Sequence, residues 1–314
     1  MLKVEADIQQ FQSTTQYIDT QYVDMGGANN LGMLQHYSNQ SNEPYYTTKL
    51  ESCYLAEREL AFLEWQKHSL ENSEVIAPQL ICCHPIADSA ICALTMECLF
   101  QPKKYESEAI VELYQRMGQL TSKVSKLKGA KECEGVLQFE MEAKTKITRT
   151  IRYIVTKMHL PEAYEQAQIF MDKRQPEFVS WPVEFEKIKG FFSESSFLTD
   201  EFDLAKHYGL LHGDFKKANI LCDHSGQLRV IDLQYYNYGA RLWDLAFFCS
   251  KEKVNYGKAY NNFIRPLKLD ESEIRIFVML YVLATLLHVK KSNVKKKLHK
   301  NVLPALQSVI NKLG

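Results

Sequence analysis

No CxxC pair occurs among the eight cysteines, at 53, 82, 83, 92, 98, 133, 222 and 249. Zinc and dithiol redox motifs need that spacing or a similar one, so neither is expected. Several of the cysteines, Cys92 and Cys98 among them, lie in apolar runs and read as buried, reduced thiols. The most apolar stretch, Ile276–Leu287, falls short of the roughly 18 residues that a bilayer span demands. The opening MLKVEADIQQFQSTTQ has no apolar core of the kind a secretory leader carries. A soluble, cytoplasmic protein without a membrane span is expected. Charge of one sign is also missing: 38 Lys and Arg balance 38 Asp and Glu. No field favours DNA or an anionic membrane, and no nucleic-acid partner is expected. Neither an internal repeat nor a low-complexity segment is visible.

What is present is 314 residues, enough for one large domain or two lobes with a real core. Residues 20–100 read as short strands around one helix. Leu31–Tyr37 and Tyr45–Leu50 flank a turn cluster, SNQSNEP, and predict a hairpin. Leu55–Lys67 carries helical spacing, and Ile91–Leu99 is a further β-like run ending near Pro102, a natural hinge. From residue 104 the pattern turns helical. Ile110, Leu113, Met117 and Leu120 share one helix face. Val136–Met158, Glu162–Lys173 and Val183–Ser193 predict further helices, with Pro161 and Pro182 near their starts. Residues 210–232 return to short strands around a loop, and from Ser272 onward the chain is helical again. The predicted architecture is α+β: a small antiparallel β-rich lobe over 1–100 and a larger, mostly helical lobe over 101–314. Such an order predicts a ligand cleft.

The chemistry concentrates in Leu210–Leu221, which reads LLHGDFKKANIL. Asp214 is followed five residues later by Asn219, and Asp232 closes Val230-Ile231-Asp232 thirteen residues after that. The turn signal DHSG at 223–226 lets the two strand pieces pair, which would bring Asp232 alongside Asn219. Phosphoryl transfer needs groups of this kind. A divalent metal must offset the phosphate charge, and a carboxylate with an amide oxygen are hard ligands suited to magnesium. Asn219 and Asp232 fit that role. A second carboxylate must meet the attacking hydroxyl and take its proton, and Asp214 fits.

HGDFKKANIL followed by VIDLQ resembles the aminoglycoside phosphotransferase and choline kinase superfamily. YYNYGARLWDLAFF, Tyr235–Phe248, looks like the choline kinase branch in particular. The resemblance implies a bilobal protein-kinase-like fold, ATP or GTP with magnesium as cofactors, and Asp244 bracing the catalytic loop. It also directs attention upstream. Lys49 is the expected strand lysine for the α/β-phosphates. Glu59 is the expected helix partner of that lysine, with Glu57 as the rival on another face. Gly26-Gly27 is the candidate nucleotide-covering loop. Met96-Glu97-Cys98-Leu99 is the candidate hinge, with Glu97 and Leu99 offering backbone groups to adenine. Lys216, two after Asp214, is placed to contact the γ-phosphate or to stand as a solvated loop lysine.

Three departures mark the chain: it has no GxGxxG, no APE-like segment, and Asp232-Leu233-Gln234 where protein kinases have DFG. From Glu97 to His212 is 115 positions, a span filled with predicted helices. Small-molecule kinases of the superfamily carry such an insertion as part of the acceptor pocket. The expected function is therefore phosphoryl transfer to a hydroxyl of a small molecule such as an aminoglycoside, a choline-like amino alcohol or a sugar. A protein kinase and a non-catalytic nucleotide-binding protein are the alternatives. Glu184, Glu186, Asp200, Glu201 and Asp203 are the acids that would attract a cationic acceptor. Trp181 and Trp243 are the aromatics for a quaternary ammonium, or plain core. The lysine-rich run His288–Lys300 reads as a solvated helix face.

Overall fold

The structure, a computed structural model, describes residues 19–23, 31–37, 43–86, 90–126, 130–133, 136–139, 168–169, 172–173, 175–193, 204–287 and 294–310. The chain divides into two compact units. The first comprises Met1–Lys103, Lys126–Lys128 and Ile220–Gln234. The second comprises Lys104–Ser125, Gly129–Asn219 and Tyr235–Gly314.

The first unit is built on a five-stranded antiparallel sheet. Its strands are β1 (Asp19–Val23), β2 (Gly32–Tyr37), β3 (Pro44–Ser52), β4 (Leu80–Pro85) and β5 (Ile91–Glu97), in the order β1-β2-β3-β5-β4. The hairpin of β2 and β3 was legible from its turn cluster. β4 was not, because Cys82, Cys83, His84 and Pro85 dilute its apolar signal. Helix α1 (Cys53–Ser69) packs on β3, β4 and β5 and buries Phe62 and Leu63 completely. The two side chains are adjacent on the helix and seal it to the sheet, each contributing about 1.5–3 kcal/mol of burial. The second long-range piece of this unit is a hairpin of β9 (Ile220–Cys222) and β10 (Leu228–Val230). It is tied in by main-chain bonds, Val230 N–H to the Ile76 carbonyl at 2.7 Å and a reciprocal pair between Phe100 and Cys222 at 2.8 Å. Arg229 adds a guanidinium bond to the Val75 carbonyl.

The second unit is mostly helical. Helix α2 (Ser107–Gln119) buries Ile110, Leu113 and Met117, the face that the apolar spacing predicts. Helix α3 (Pro182–Ser193) opens on its proline, which has no N–H to leave unpaired. Helix α4 (Trp243–Lys251) packs against α5 (Glu271–Leu287), and α6 (Leu303–Ile310) packs on α5 in turn. Helix α5 is buried at every position along Ile276–Leu286, which accounts for its almost wholly apolar composition there. The helix expected over Val136–Met158 is not what forms at its start. β7 (Val136–Phe139) pairs antiparallel with β6 (Ala130–Cys133), with Val136 opposite Cys133. The sequence between them is Glu134-Gly135, a two-residue glycine connection that favours a hairpin over a helix. Residues 140–158 and Pro161 lie outside the described residues. Of Glu162–Lys173, 168–169 and 172–173 are helical and the rest is likewise outside.

The cysteines whose side chains are described are free. Cys92, Cys98 and Cys249 are buried, and Cys53, Cys82, Cys83 and Cys222 are half-buried. Burial pushes the Cys83 thiol up to about 11, so at neutral pH it is protonated and unreactive. Among the described residues no helix is long and apolar enough to cross a membrane.

Candidate active site

In the first unit, Lys49 sits near the end of β3 with its side chain buried. Its Nζ donates to Glu59 Oε2 at 2.7 Å and to Asp232 Oδ1 at 2.8 Å, and lies 3.0 Å from Glu51 Oε2. Burial by itself would pull the ammonium pKa down. Glu59, then Asp232 and Glu51, outweigh it and raise the pKa above its usual range. Lys49 is therefore a fixed cation at any working pH. Glu59 is reached because α1 starts directly after β3 and turns its buried face back onto the strand. Glu57 is exposed and points elsewhere, as helix geometry requires for a residue two positions away.

Asp232 follows β10 with φ +65, an uncommon backbone for a non-glycine residue. Gln234 Nε2 donates to Asp232 Oδ1, and Arg58 of α1 donates from Nε to the Gln234 carbonyl at 2.9 Å. The Asp232-Leu233-Gln234 segment is thus laced to the same helix that carries Glu59. At the other end of the hairpin, Asp223 makes the turn. Its Oδ1 accepts from the Ser225 and Gln227 N–H groups at 2.9 and 3.0 Å, and its Oδ2 from Arg229. Because Ile220 pairs with Val230, the residues preceding and following that rung are Asn219 and Ile231-Asp232 in the chain.

In the second unit, the loop after β8 (Tyr208–Leu211) carries the remaining groups. β8 pairs with β11 (Asn237–Ala240), Leu211 opposite Asn237. Asp244, fully buried in the first turn of α4, accepts from the His212 N–H at 2.7 Å and the Gly213 N–H at 3.0 Å. Asp214 N–H donates to His212 Nδ1 at 3.2 Å, so that ring nitrogen carries no proton. Gly213 has φ +80, and a Cβ there would lie 2.3 Å from the Tyr235 carbonyl oxygen. Only glycine fits. The braced loop presents Asp214, whose Oδ2 accepts from Lys216 Nζ at 2.6 Å and from Asn219 Nδ2 at 3.2 Å. Asn219 Nδ2 also donates to the Asp214 carbonyl at 3.0 Å.

Other expected residues are placed less tellingly. The N–H groups of Glu97 and Cys98 are taken by the Gln79 and Tyr45 carbonyls, while Leu99 lies between β5 and the Phe100–Cys222 bridge. Gly26 and Gly27 lie outside the described residues, as do Asp200, Glu201 and Asp203. Glu184 and Glu186 ride α3, the latter exposed. Trp243 is core, packed on Phe247. The face of Trp181 is covered by the chain's own Lys295, 5.2 Å from the ring centroid. In the lysine-rich run, Lys295, Lys296 and Lys300 are exposed. Sequence reading missed Glu51 and Gln234. Strand alternation marks Glu51, two residues beyond Lys49 on the same face; nothing local marks Gln234.

A strand lysine paired to a helix glutamate, together with a braced His-Gly-Asp loop, defines a phosphotransferase of kinase-like fold. The chain belongs to the phosphotransferase enzyme family, whose model matches residues 54–266. This bears out the resemblance of the His212–Leu221 and Val230–Gln234 segments to the aminoglycoside phosphotransferase and choline kinase superfamily. Among solved structures the chain is similar to the microcompartment-associated aminopropanol kinase, at 12% identity over 98% of this chain and 97% of that one, with a TM-score of 0.53. It is similar to the apo form of a thermostable mutant of aminoglycoside phosphotransferase APH(4)-Ia, at 12% identity over 98% of each chain and a TM-score of 0.52. It is similar also to amicoumacin kinase hAmiN in complex with AMP-PNP, Ca2+ and Ami, at 12% identity over 99% and 96% and a TM-score of 0.50. At such identities the shared property is the fold. No curated protein matches the sequence.

Proposed function

We propose that this protein is an ATP- and magnesium-dependent kinase that transfers the γ-phosphate to a hydroxyl of a small molecule. The observation that carries the reading is the convergence of Glu59 and Asp232 on Lys49, the latter from 183 positions away. A lysine made permanently cationic and fixed by a helix glutamate is what the α/β-phosphates require. The first unit would bind the nucleotide, with Gly26-Gly27 covering the phosphates and the Glu97–Leu99 backbone meeting the base. GTP in place of ATP is the alternative donor. The second unit would supply the catalytic loop and the acceptor site.

The chemistry of the two proposed ligands, taken residue by residue, suits a magnesium ion. Asp232 offers a carboxylate, and Asn219, with its Nδ2 engaged by Asp214, is left with its amide oxygen for a cation. Two hard protein ligands suit a metal that keeps waters and phosphate oxygens for its other positions. Among the described residues no group of three or more His, Cys, Asp or Glu forms a cage for a different ion. When bound, the ion offsets charge on the phosphates. Asp214 would take the acceptor's hydroxyl proton as that oxygen bonds to the γ-phosphorus. The bond from phosphorus to the bridging oxygen breaks, and the diphosphate leaves with the electron pair. Lys216, now paired to Asp214, would keep the carboxylate oriented and can turn to the γ-phosphate.

Acceptors bearing both an amine and a hydroxyl are the first to try, in line with the names of the aminopropanol kinase and the aminoglycoside phosphotransferase that share the fold. Choline-like amino alcohols and amino sugars belong to the same class. The test is a panel of aminoglycosides, choline, ethanolamine, aminopropanol, amino sugars and a generic protein, each with labelled ATP or GTP and magnesium. Transfer to one of the small molecules is expected. Transfer to protein alone would reverse the reading, and nucleotide binding with no transfer to anything would make the protein a binding module.

A further inference from the structure

The cysteines contain no CxxC pair, yet the fold assembles a dithiol from distant positions. Cys53 is the first residue of α1, and its N–H donates to the Ala90 carbonyl at 2.8 Å, which ties it to the chain entering β5. β3 pairs with β5 up to Ser52 opposite Ile91, so Cys92 stands one rung inside that junction, opposite Glu51. The two sulfurs meet there. The Cys92 thiol donates to Cys53 Sγ at 2.9 Å, across 39 positions of chain. The sulfurs of a disulfide are about 2.05 Å apart, so the gap left to close is under about 1 Å. Both residues are free thiols, but their exposure differs. Cys53 is half-buried and can meet a small oxidant, whereas Cys92 is 8% exposed. Burial pushes the Cys92 thiol up to about 12, so near neutrality it keeps its proton and donates it to Cys53. The pair thus has a reachable sulfur backed by a sheltered one, the arrangement that an oxidisable dithiol requires.

We propose that Cys53 and Cys92 are an oxidation site that peroxide converts to a disulfide, with Cys53 as the attacking sulfur and Cys92 as the resolving one. The Cys53 thiolate attacks one peroxide oxygen and the O–O bond breaks. The departing hydroxide takes up the proton that Cys53 released, leaving water and a sulfenic acid on Cys53. The Cys92 sulfur then attacks the Cys53 sulfur. The S–O bond breaks, and hydroxide leaves with the electron pair and takes the Cys92 proton as a second water. Two thiols and one peroxide give one disulfide and two waters; the sulfurs lose two electrons and the peroxide gains them. The new bond joins the first residue of α1, the helix that carries Glu59, to β5, and it closes a loop that contains all of α1 and β4. Closing such a loop removes freedom chiefly from the unfolded chain, so the oxidised first unit gains stability. A reductant reaches the Cys53 sulfur first and must then expel Cys92, a poor leaving group because its thiol holds its proton tightly. The oxidised form therefore persists until a strong dithiol opens it.

The test uses the full chain, first reduced with dithiothreitol and then exposed to a few equivalents of hydrogen peroxide. Free thiols are blocked with an alkylating agent, linked peptides are mapped by mass spectrometry without reduction, and thermal melts are run before and after oxidation. The expected results are the loss of two thiols, a peptide linked through Cys53 and Cys92, and a Tm rise of about 5 °C or more that dithiothreitol reverses. Cys53→Ser removes the reachable sulfur and is expected to show neither the link nor the Tm rise. Cys92→Ala leaves Cys53 to stop at the sulfenic acid, which dimedone traps. A link from Cys92 to Cys83, which lines a cavity with it between α1 and β4, overturns the pairing. Oxidation of Cys53 in the wild type with no link, thiols that stay intact throughout, or a link that leaves Tm unchanged overturns the proposal as well.

Discussion

Lys49 and Asp214 are each half of an ion pair, but the balance of charge around them differs. Lys49 meets three acids within 3.0 Å, so its surroundings are rich in negative charge. Asp214 pairs with the Lys216 ammonium and accepts from the Asn219 amide. The support differs as well. The Asp214 loop hangs on main-chain N–H groups that Asp244 holds. The Lys49 constellation is all side chain. On the proposed function, the groups that would act at the moment of transfer are held by backbone, and those that would meet a charged ligand are held by side chains.

The comparison can be broken most decisively at Asp214. Replacing it with alanine is expected to lower kcat about a thousandfold while the nucleotide Kd changes by less than about threefold, read from steady-state kinetics beside calorimetry. Normal turnover would remove Asp214 from the chemistry. Next come two glycines with positive φ. Gly213→Ala would force a Cβ against the Tyr235 carbonyl and is expected to cost more than about 2 kcal/mol, whereas Gly226→Ala, φ +84 with open space around it, should cost about 1 kcal/mol, both from denaturant melts. Equal costs would show that the loop is less rigid than its contacts imply. Asp244→Asn replaces an acceptor of two N–H groups with a group that has one acceptor oxygen. A loss of about 2 kcal/mol, with a fall in kcat and little change in nucleotide Kd, is expected. Smallest is Lys216→Met. Its side chain is about a quarter exposed, so the pair with Asp214 is partly screened. A drop in kcat of about tenfold or less is expected, and a loss as large as that of Asp214→Ala would make Lys216 a catalytic residue in its own right.

Much of this was legible in the residues. The apolar face of α2, the hairpin of β2 and β3 and the turn at Asp223–Gly226 all follow from spacing and turn chemistry acting over a few positions. The short-range part of the loop, His212 to Asn219, was legible for the same reason. Where local signals were diluted, reading failed. The four polar or ring-bearing residues of Leu80–Pro85 hid a strand, and helical spacing at Val136 concealed a hairpin that Gly135 favours.

By itself the sequence determined the family motif, the lysine and the carboxylates that serve it, and the alternation that puts Glu51 beside Lys49. Only the tertiary structure decided that Glu59 and not Glu57 meets Lys49, because a helix resolves faces by the angle at which it leaves the strand. It also decided that Ile220–Gln234 joins the first unit through bonds to Ile76 and Phe100, since main-chain pairing across more than a hundred positions leaves no local trace. And it decided that Glu51, Glu59 and Asp232 crowd one ammonium, because side chains from β3, α1 and the segment after β10 meet only once the unit has folded.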